Sequence, residues 1–248
     1  MIDTHAHLDA CAEPAAVVLG RGRAEGVDRV ITVGTGIDSC HEALRLAESE
    51  PGVYAALGVH PHDAGGDDAG RLGELRDLAA HERAVAIGET GLDHYRNYAP
   101  RTAQRNLFDA HIELATELAL PLVIHSRAAA RETADALAGF EGDVVLHCFS
   151  EPDLLEVAVE RKYYVSFAGN VTYPNADALR AAAREIAADR LLAETDCPFL
   201  APQPVRGRPN EPAYVVHTID ALAAVRDVSR EELNEALDAN ADRVFGLR

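Results

Sequence analysis

Six residues of metal-binding type stand one by one at the ends of apolar runs: His5, His7, Glu89, His125, His147 and Asp196. His5 and His7 come after Met1-Ile2, Glu89 after Val85-Ala-Ile87, and His125 after Leu122-Val-Ile124. His147 comes after Val144-Val-Leu146 and Asp196 after Leu191-Leu-Ala193. His, Asp and Glu bind zinc and similar ions, and carboxylates also suit magnesium and manganese. In extended backbone the two imidazoles of H-x-H point the same way. Four His, one Glu and one Asp could hold two ions, with a carboxylate between them. Ion pairs about 3.5–4 Å apart clamp the attacking and leaving oxygens of a phosphoryl transfer. Taken singly, each residue has an ordinary reading: a Glu after a strand usually caps a helix, and a lone His is usually a satisfied polar group. The repetition, strand and then ligand, points to a barrel that gathers its strand ends at one metal site.

A second H-x-H, His60-Pro61-His62, competes for the ligand role. His60 is expected just behind the ligands or facing substrate, and a surface role is as good a reading for His62.

The elements that must position these residues alternate along the chain. Expected strands are Met1-Ile2, Val30–Val33, Val53–Leu57, Val85–Ile87, Pro121–Ile124, Val144–Leu146, Tyr163–Ser166 and Leu191–Ala193. Helices are expected near 38–50, 68–80, 101–118, 128–137, 152–161 and 175–187, with two more at the end. The last opens at Ser229-Arg-Glu-Glu232, the spacing of a capping box. Eight such repeats predict an α/β fold: a single (β/α)8 TIM barrel over residues 1–248, with the metal site at the C-terminal ends of the strands. Loops at 63–70, 95–100 and 201–212 fall on that same face.

Composition agrees with one buried parallel sheet. Aromatics make up 5% and Trp is absent, so Ala, Val, Leu and Ile must fill the interior. No apolar run approaches the ~20 residues of a membrane helix. Asp3, His5 and His7 interrupt any signal-peptide pattern. Cys11, Cys40, Cys148 and Cys197 form no C-x-x-C pair, so a reducing, cytoplasmic compartment is expected. Cys148 and Cys197 each follow a candidate ligand, and strand alternation predicts that both are small buried thiols. The net charge is −18 and Lys162 is the only lysine, which excludes a diffuse basic footprint for nucleic acid.

Several segments resemble the successive motifs of TatD-type metal-dependent hydrolases. They are Asp3-Thr-His-Ala-His-Leu-Asp9, Gly58-Val-His-Pro61, Ile87-Gly-Glu-Thr-Gly-Leu-Asp93, His125-Ser-Arg127, His147-Cys-Phe149 and Glu194-Thr-Asp-Cys-Pro198. Arg206-Gly-Arg-Pro-Asn-Glu-Pro212 and Asn240-Ala-Asp-Arg-Val-Phe245 look like the same family. The resemblance implies a TIM barrel that hydrolyses phosphodiester bonds with one or two divalent ions, magnesium, manganese or zinc. It implies that His5, His7, Glu89 and Asp196 hold one ion, and that Glu89, His125 and His147 hold the other. Glu89 would bridge, and Asp196 would also take the proton of the attacking water. Asp93 and Glu194 look like partners that orient ligands. Three positions depart from the family pattern: Ala128 stands where an acid is usual, which removes a helix cap or a contact behind a ligand; Arg208 stands where Lys is frequent and keeps the charge; and His94 replaces a Tyr and reads as a solvent-facing side chain, with contact to substrate as the other reading.

The expected function is a TatD-type deoxyribonuclease that is end-acting and non-sequence-specific. DNA ends or a small phosphodiester are the expected partners, with no membrane and no obligate protein partner. Arg127, with Arg206 or Arg208, would neutralise developing charge. Gly169 and Asn170 could cradle a phosphate or form an ordinary turn. The alternative is a deacylase or amidohydrolase on a small or tRNA-linked substrate, since the same site can attack a carbonyl. A barrel that only binds is disfavoured by the complete ligand set.

Overall fold

A computed structural model describes residues 1–247. Its sheet has eight parallel strands in sequence order, β1 (Ile2–Ala6), β2 (Arg29–Gly34), β3 (Val53–Leu57), β4 (Ala84–Asp93), β5 (Leu122–Arg127), β6 (Val144–Leu146), β7 (Tyr164–Phe167) and β8 (Leu191–Ala193). The chain just beyond β8 runs parallel to β1 and closes the ring: Asp196 N donates to His5 O at 2.9 Å and His7 N to Cys197 O at 2.8 Å. The helices between the strands are α1 (Ala15–Ala24), α2 (Ile37–Ser49), α3 (Leu72–Ala79), α4 (Arg101–Leu118), α5 (Ala130–Ala136), α6 (Leu155–Glu160) and α7 (Asp177–Glu185). α8 (Val215–Arg226) and α9 (Arg230–Phe245) come after β8. The expected TIM barrel is therefore the fold. No helix among the described residues is long and apolar enough to cross a membrane.

Strand alternation sorts the apolar residues into two layers. Ile31, Tyr54, Val123, Val145, Tyr164 and Leu192 share one buried cluster inside the ring. Their neighbours Val30, Val53, Leu122, Ile124, Val144 and Leu191 belong to the layer beneath the helices. Ala241, Val244 and Phe245 of α9 join the inner cluster and seal the end from which the strands start. Ser229 caps α9, its hydroxyl accepting from Glu232 N at 3.1 Å, as its spacing predicts. Gly246, at φ 60°, ends it in the left-handed conformation that glycine adopts without cost.

Three strands run well past their expected ends. β1 continues to Ala6, β4 to Asp93 and β5 to Arg127, so His5, Glu89 and His125 lie inside strands instead of after them. Irregular pairing explains the first two. β1 carries one extra residue between Asp3 and Ala6, and β4 one between Ile87 and Thr90. A bulge shifts the side-chain alternation by one and re-aims the side chains beyond it. Gly88 and Gly91 permit the irregular path of β4, at φ 142° and 134°. A methyl group on Gly91 would meet the His125 carbonyl oxygen at 2.1 Å. The helix expected near 68–80 begins at Leu72, after a 3-10 turn over Asp67–Gly70.

Candidate metal centre and its cleft

The other five ligand-type residues gather around Glu89, which is buried at the centre of the cluster. Its two oxygens face different partners. Oε2 lies 3.5 Å from His5 Nε2 and 3.7 Å from His7 Nε2. Asp196 Oδ1 completes that side, 3.3 Å from His7 Nε2 and 3.9 Å from His5 Nε2. Oε1 lies 2.8 Å from His125 Nδ1, 2.8 Å from His147 Nε2 and 3.3 Å from His60 Nε2. One carboxylate thus divides the surrounding donors into two sets. The rings of His5 and His147 stack across the division, 3.9 Å between centroids. His60, expected behind the ligands, stands among them.

The far nitrogens of two imidazoles are held by buried carboxylates. Glu194 Oε1 accepts from Cys148 N at 2.7 Å and lies 3.2 Å from His147 Nδ1. Asp93 Oδ2 lies 3.4 Å from His125 Nε2 and 2.8 Å from His62 Nε2, while its Oδ1 accepts from Tyr95 N and Arg96 N. A carboxylate behind an imidazole fixes its orientation and raises its basicity as a ligand. Asp3 does a different job. Its carboxylate takes Thr195 N at 2.8 Å and the Thr195 hydroxyl at 2.5 Å, tying β1 to the loop that carries Asp196.

These surroundings decide the protonation states. Burial lowers the His147 imidazole, but Glu89 and Glu194 outweigh it and hold its pKa well above the ordinary value. Burial raises Asp196, but the His7 hydrogen bond and charge overcome it and keep the carboxylate ionised. Burial also opposes ionisation of Glu89, and the charges of His147 and His60 reverse that effect. For Asp3 burial prevails over the Thr195 hydrogen bonds and pushes its pKa up to about 8.

The cluster forms the floor of a cleft of about 710 Å³ at the C-terminal ends of the strands. Arg127 and Arg96 line it, with Asn170 and Cys148. Asn170 Oδ1 is buried there without a hydrogen-bond partner. Arg206 and Arg208 are exposed and do not line the cleft. Arg206 instead lies over the Tyr173 ring, 4.3 Å from its centroid. Nothing in the sequence marks Arg96 except its place in the loop after β4.

Two expectations about neighbouring residues fail, and the structure decides an open one. Cys148 is not a buried thiol: it lines the cleft, because its φ of 45° breaks the strand alternation on which that reading rests. His94 does not face solvent, being only 8% exposed. His62, for which a surface role and a place at the site are equal readings, lines the cleft and holds Asp93. The acid missing at Ala128 is replaced from elsewhere: Glu151 accepts from Ala129 N at 3.2 Å and from the Ser126 hydroxyl, at the start of α5.

The match to the model of the TatD related DNase family runs over residues 2–246. The chain belongs to that family. The TatD assignment extends to its relatives. An uncharacterized metal-dependent hydrolase of Bacillus subtilis is 37% identical over 253 residues, covering 100% of this chain and 99% of that one. A protein of Musicola paradisiaca named 3'-5' ssDNA/RNA exonuclease TatD is 37% identical over 241 residues, covering 93% and 91%. The crystal structure of an Escherichia coli K12 TatD homologue superposes with a TM-score of 0.93 at 29% identity, covering 100% of this chain and 98% of that one. As a TatD protein the chain is a metal-dependent hydrolase acting on ester bonds, and its His/Glu/Asp cluster has the composition to bind metal.

Proposed function

We propose that this TatD protein is an end-acting deoxyribonuclease without sequence preference. The supporting observation is the division of donors by the two oxygens of Glu89. His5, His7 and Asp196 would hold one divalent ion, and His125 and His147 the other, with Glu89 shared and His60 in reach of the second. Imidazole nitrogens and carboxylate oxygens suit zinc or manganese, and the carboxylates admit magnesium. When bound, such ions lower the pKa of a water and stabilise charge on a phosphoryl group.

The chain's own residues supply the rest. Asp196, kept ionised, accepts a proton from the attacking water. Glu194 and Asp93 keep His147 and His125 facing Glu89. Arg127 and Arg96 offset charge on the phosphate from the cleft wall. The −18 surface repels a long duplex, so attraction for phosphate is concentrated at the floor of the cleft. That favours a strand end over a tightly gripped duplex. All four cysteines are free thiols, in keeping with a cytoplasmic setting.

The test uses metal-stripped protein resupplied with magnesium, manganese or zinc. It is given 3′-labelled single-stranded DNA, a small phosphodiester and a panel of acyl esters. Asp196→Asn should lower DNA cleavage by about 10³-fold. Equal cleavage by both proteins sinks the assignment of Asp196. Turnover of acyl esters without DNA cleavage replaces the nuclease reading with the deacylase one.

A further inference from the structure

The described residues leave five large apolar side chains exposed: Val17, Tyr95, Tyr98, Val159 and Phe199. Phe199 lines the cleft, and Tyr95 and Tyr98 each touch a residue that lines it. Phe199, 56% exposed, lies edge-on to the His7 ring at 5.8 Å between centroids. Tyr95, 62% exposed, carries the Arg127 guanidinium over its ring at 4.2 Å. Tyr98, 66% exposed, meets His62 at 4.7 Å. Burial does not explain these rings, because burying them is what the fold fails to do. In a chain with only 5% aromatics and no Trp, their grouping needs a reason.

Their placement around the ring supplies one. Phe199 comes after β8, which neighbours β1, and the tyrosines come after β4, which neighbours β5. In a closed ring of eight strands these are opposite sides. The Phe199 rim adjoins His7, in the donor set at Glu89 Oε2. The tyrosine rim adjoins Arg127 and His62, next to His125 in the set at Oε1. A phosphate seated over Glu89 therefore has an exposed ring beside it in both directions along a strand.

We propose that Phe199 on one rim, and Tyr95 with Tyr98 on the other, are the residues that stack the bases on either side of the scissile phosphate. This rests on the nuclease reading and adds to it the side chains that would hold the bases of an unpaired strand. Every base has a π-face, so stacking accepts all sequences. In a duplex those faces are already covered by neighbouring pairs, and exposing them requires unpairing. Arg127 serves both parts of the strand, since its guanidinium braces the Tyr95 ring while lining the phosphate cleft.

The test measures binding by fluorescence anisotropy on manganese-loaded Asp196→Asn protein. Its probes are an end-labelled oligothymidylate and an abasic strand of equal length. The base-bearing strand should bind about tenfold tighter or more, the size of one base–aromatic stack. Phe199→Ala and Tyr95→Ala should each bring the ratio of the two affinities toward one, and Phe199→Tyr and Tyr95→Phe should restore it. Both side chains are exposed, so these changes leave the fold intact, which circular dichroism checks. Equal affinity of the parent for both strands, an unchanged ratio in the alanine variants, or no binding of either strand overturns the proposal. Cleavage by the parent is assayed in parallel. If it hydrolyses acyl esters and no phosphodiester, the nuclease reading fails, while the affinity ratio still decides the stacking separately.

Discussion

The two ends of the barrel are built from the same eight strands and are opposite in character. At the starting end, Ile2, Ile31, Tyr164 and Leu192 pack with Val244 and Phe245 of α9, and the interior is sealed. At the finishing end, the buried side chains are His5, Glu89, His147, Glu194 and Asp196, and a cleft stands open. One end gains free energy by hiding apolar surface. The other crowds carboxylates and imidazoles where water cannot fully solvate them, an arrangement that costs stability unless a cation is shared among them. The fold can therefore be stabilised from below and modified chemically from above, and the two kinds of substitution should separate cleanly.

The largest effect is expected at the open end. Glu89→Gln removes the charge that both donor sets face, so bound metal should fall and hydrolysis should drop by about 10³-fold or more. Metal analysis and kcat/KM measured together check this, and full metal content with full activity would refute the central role of Glu89. At the sealed end, Phe245→Ala should lower unfolding stability by about 3–5 kcal/mol. Its activity per folded molecule should stay near that of the parent; a matching loss of kcat below the melting transition would show that the ends are not independent.

The division is sharpened by one buried group outside the ring, on the helix after β4. His111 of α4 is fully buried, lies 2.8 Å from the Leu107 carbonyl oxygen and accepts from Val59 N at 3.0 Å. Burial lowers its pKa to about 4, below the 6.5 of an unfolded chain. The unfolded state therefore takes the proton first. The contribution of His111 to stability is complete above about pH 6.5 and is lost as pH falls toward 4, by about 3 kcal/mol in all. Denaturation of metal-free protein across that range should show the slope, and His111→Gln should flatten it. The smallest effect is expected from Glu194→Gln, which loosens His147 without removing it: about 10–100-fold in metal affinity or activity. A loss as deep as that of Glu89→Gln would make Glu194 a ligand.

Much of this is legible in the sequence because strands advertise themselves by β-branched runs and ligands by residue type. His147 and Asp196 stand beyond their strands, as their spacing suggests. Glu89 is visible as a candidate, but its position in the middle of β4 is not. Its direction depends on a bulge whose register is set by β5, and such pairing is not written locally. The sequence does not announce α1, because Gly20 and Gly22 sit within it and weaken helical propensity, so contact with the barrel must hold it. Cys148 misleads for a related reason: alternation cannot be carried past a strand into a left-handed residue, and Ala128, Cys148 and Asp196 are such residues just beyond β5, β6 and β8. The aromatic rims are invisible, because exposure belongs to the folded surface.

The tie between Asp3 and Thr195 spans 192 positions of the chain. Extending so long a loop further costs little, since closure entropy grows only with the logarithm of length. Its effect is on timing. His5 and His7 come with the first strand and Asp196 with the eighth, so the donor set they share is incomplete until the ring has shut. A half-assembled barrel carries at most half a centre. Hydrolysis is then a report of finished folding, and a chain that has not yet become a ring is held harmless by its own topology.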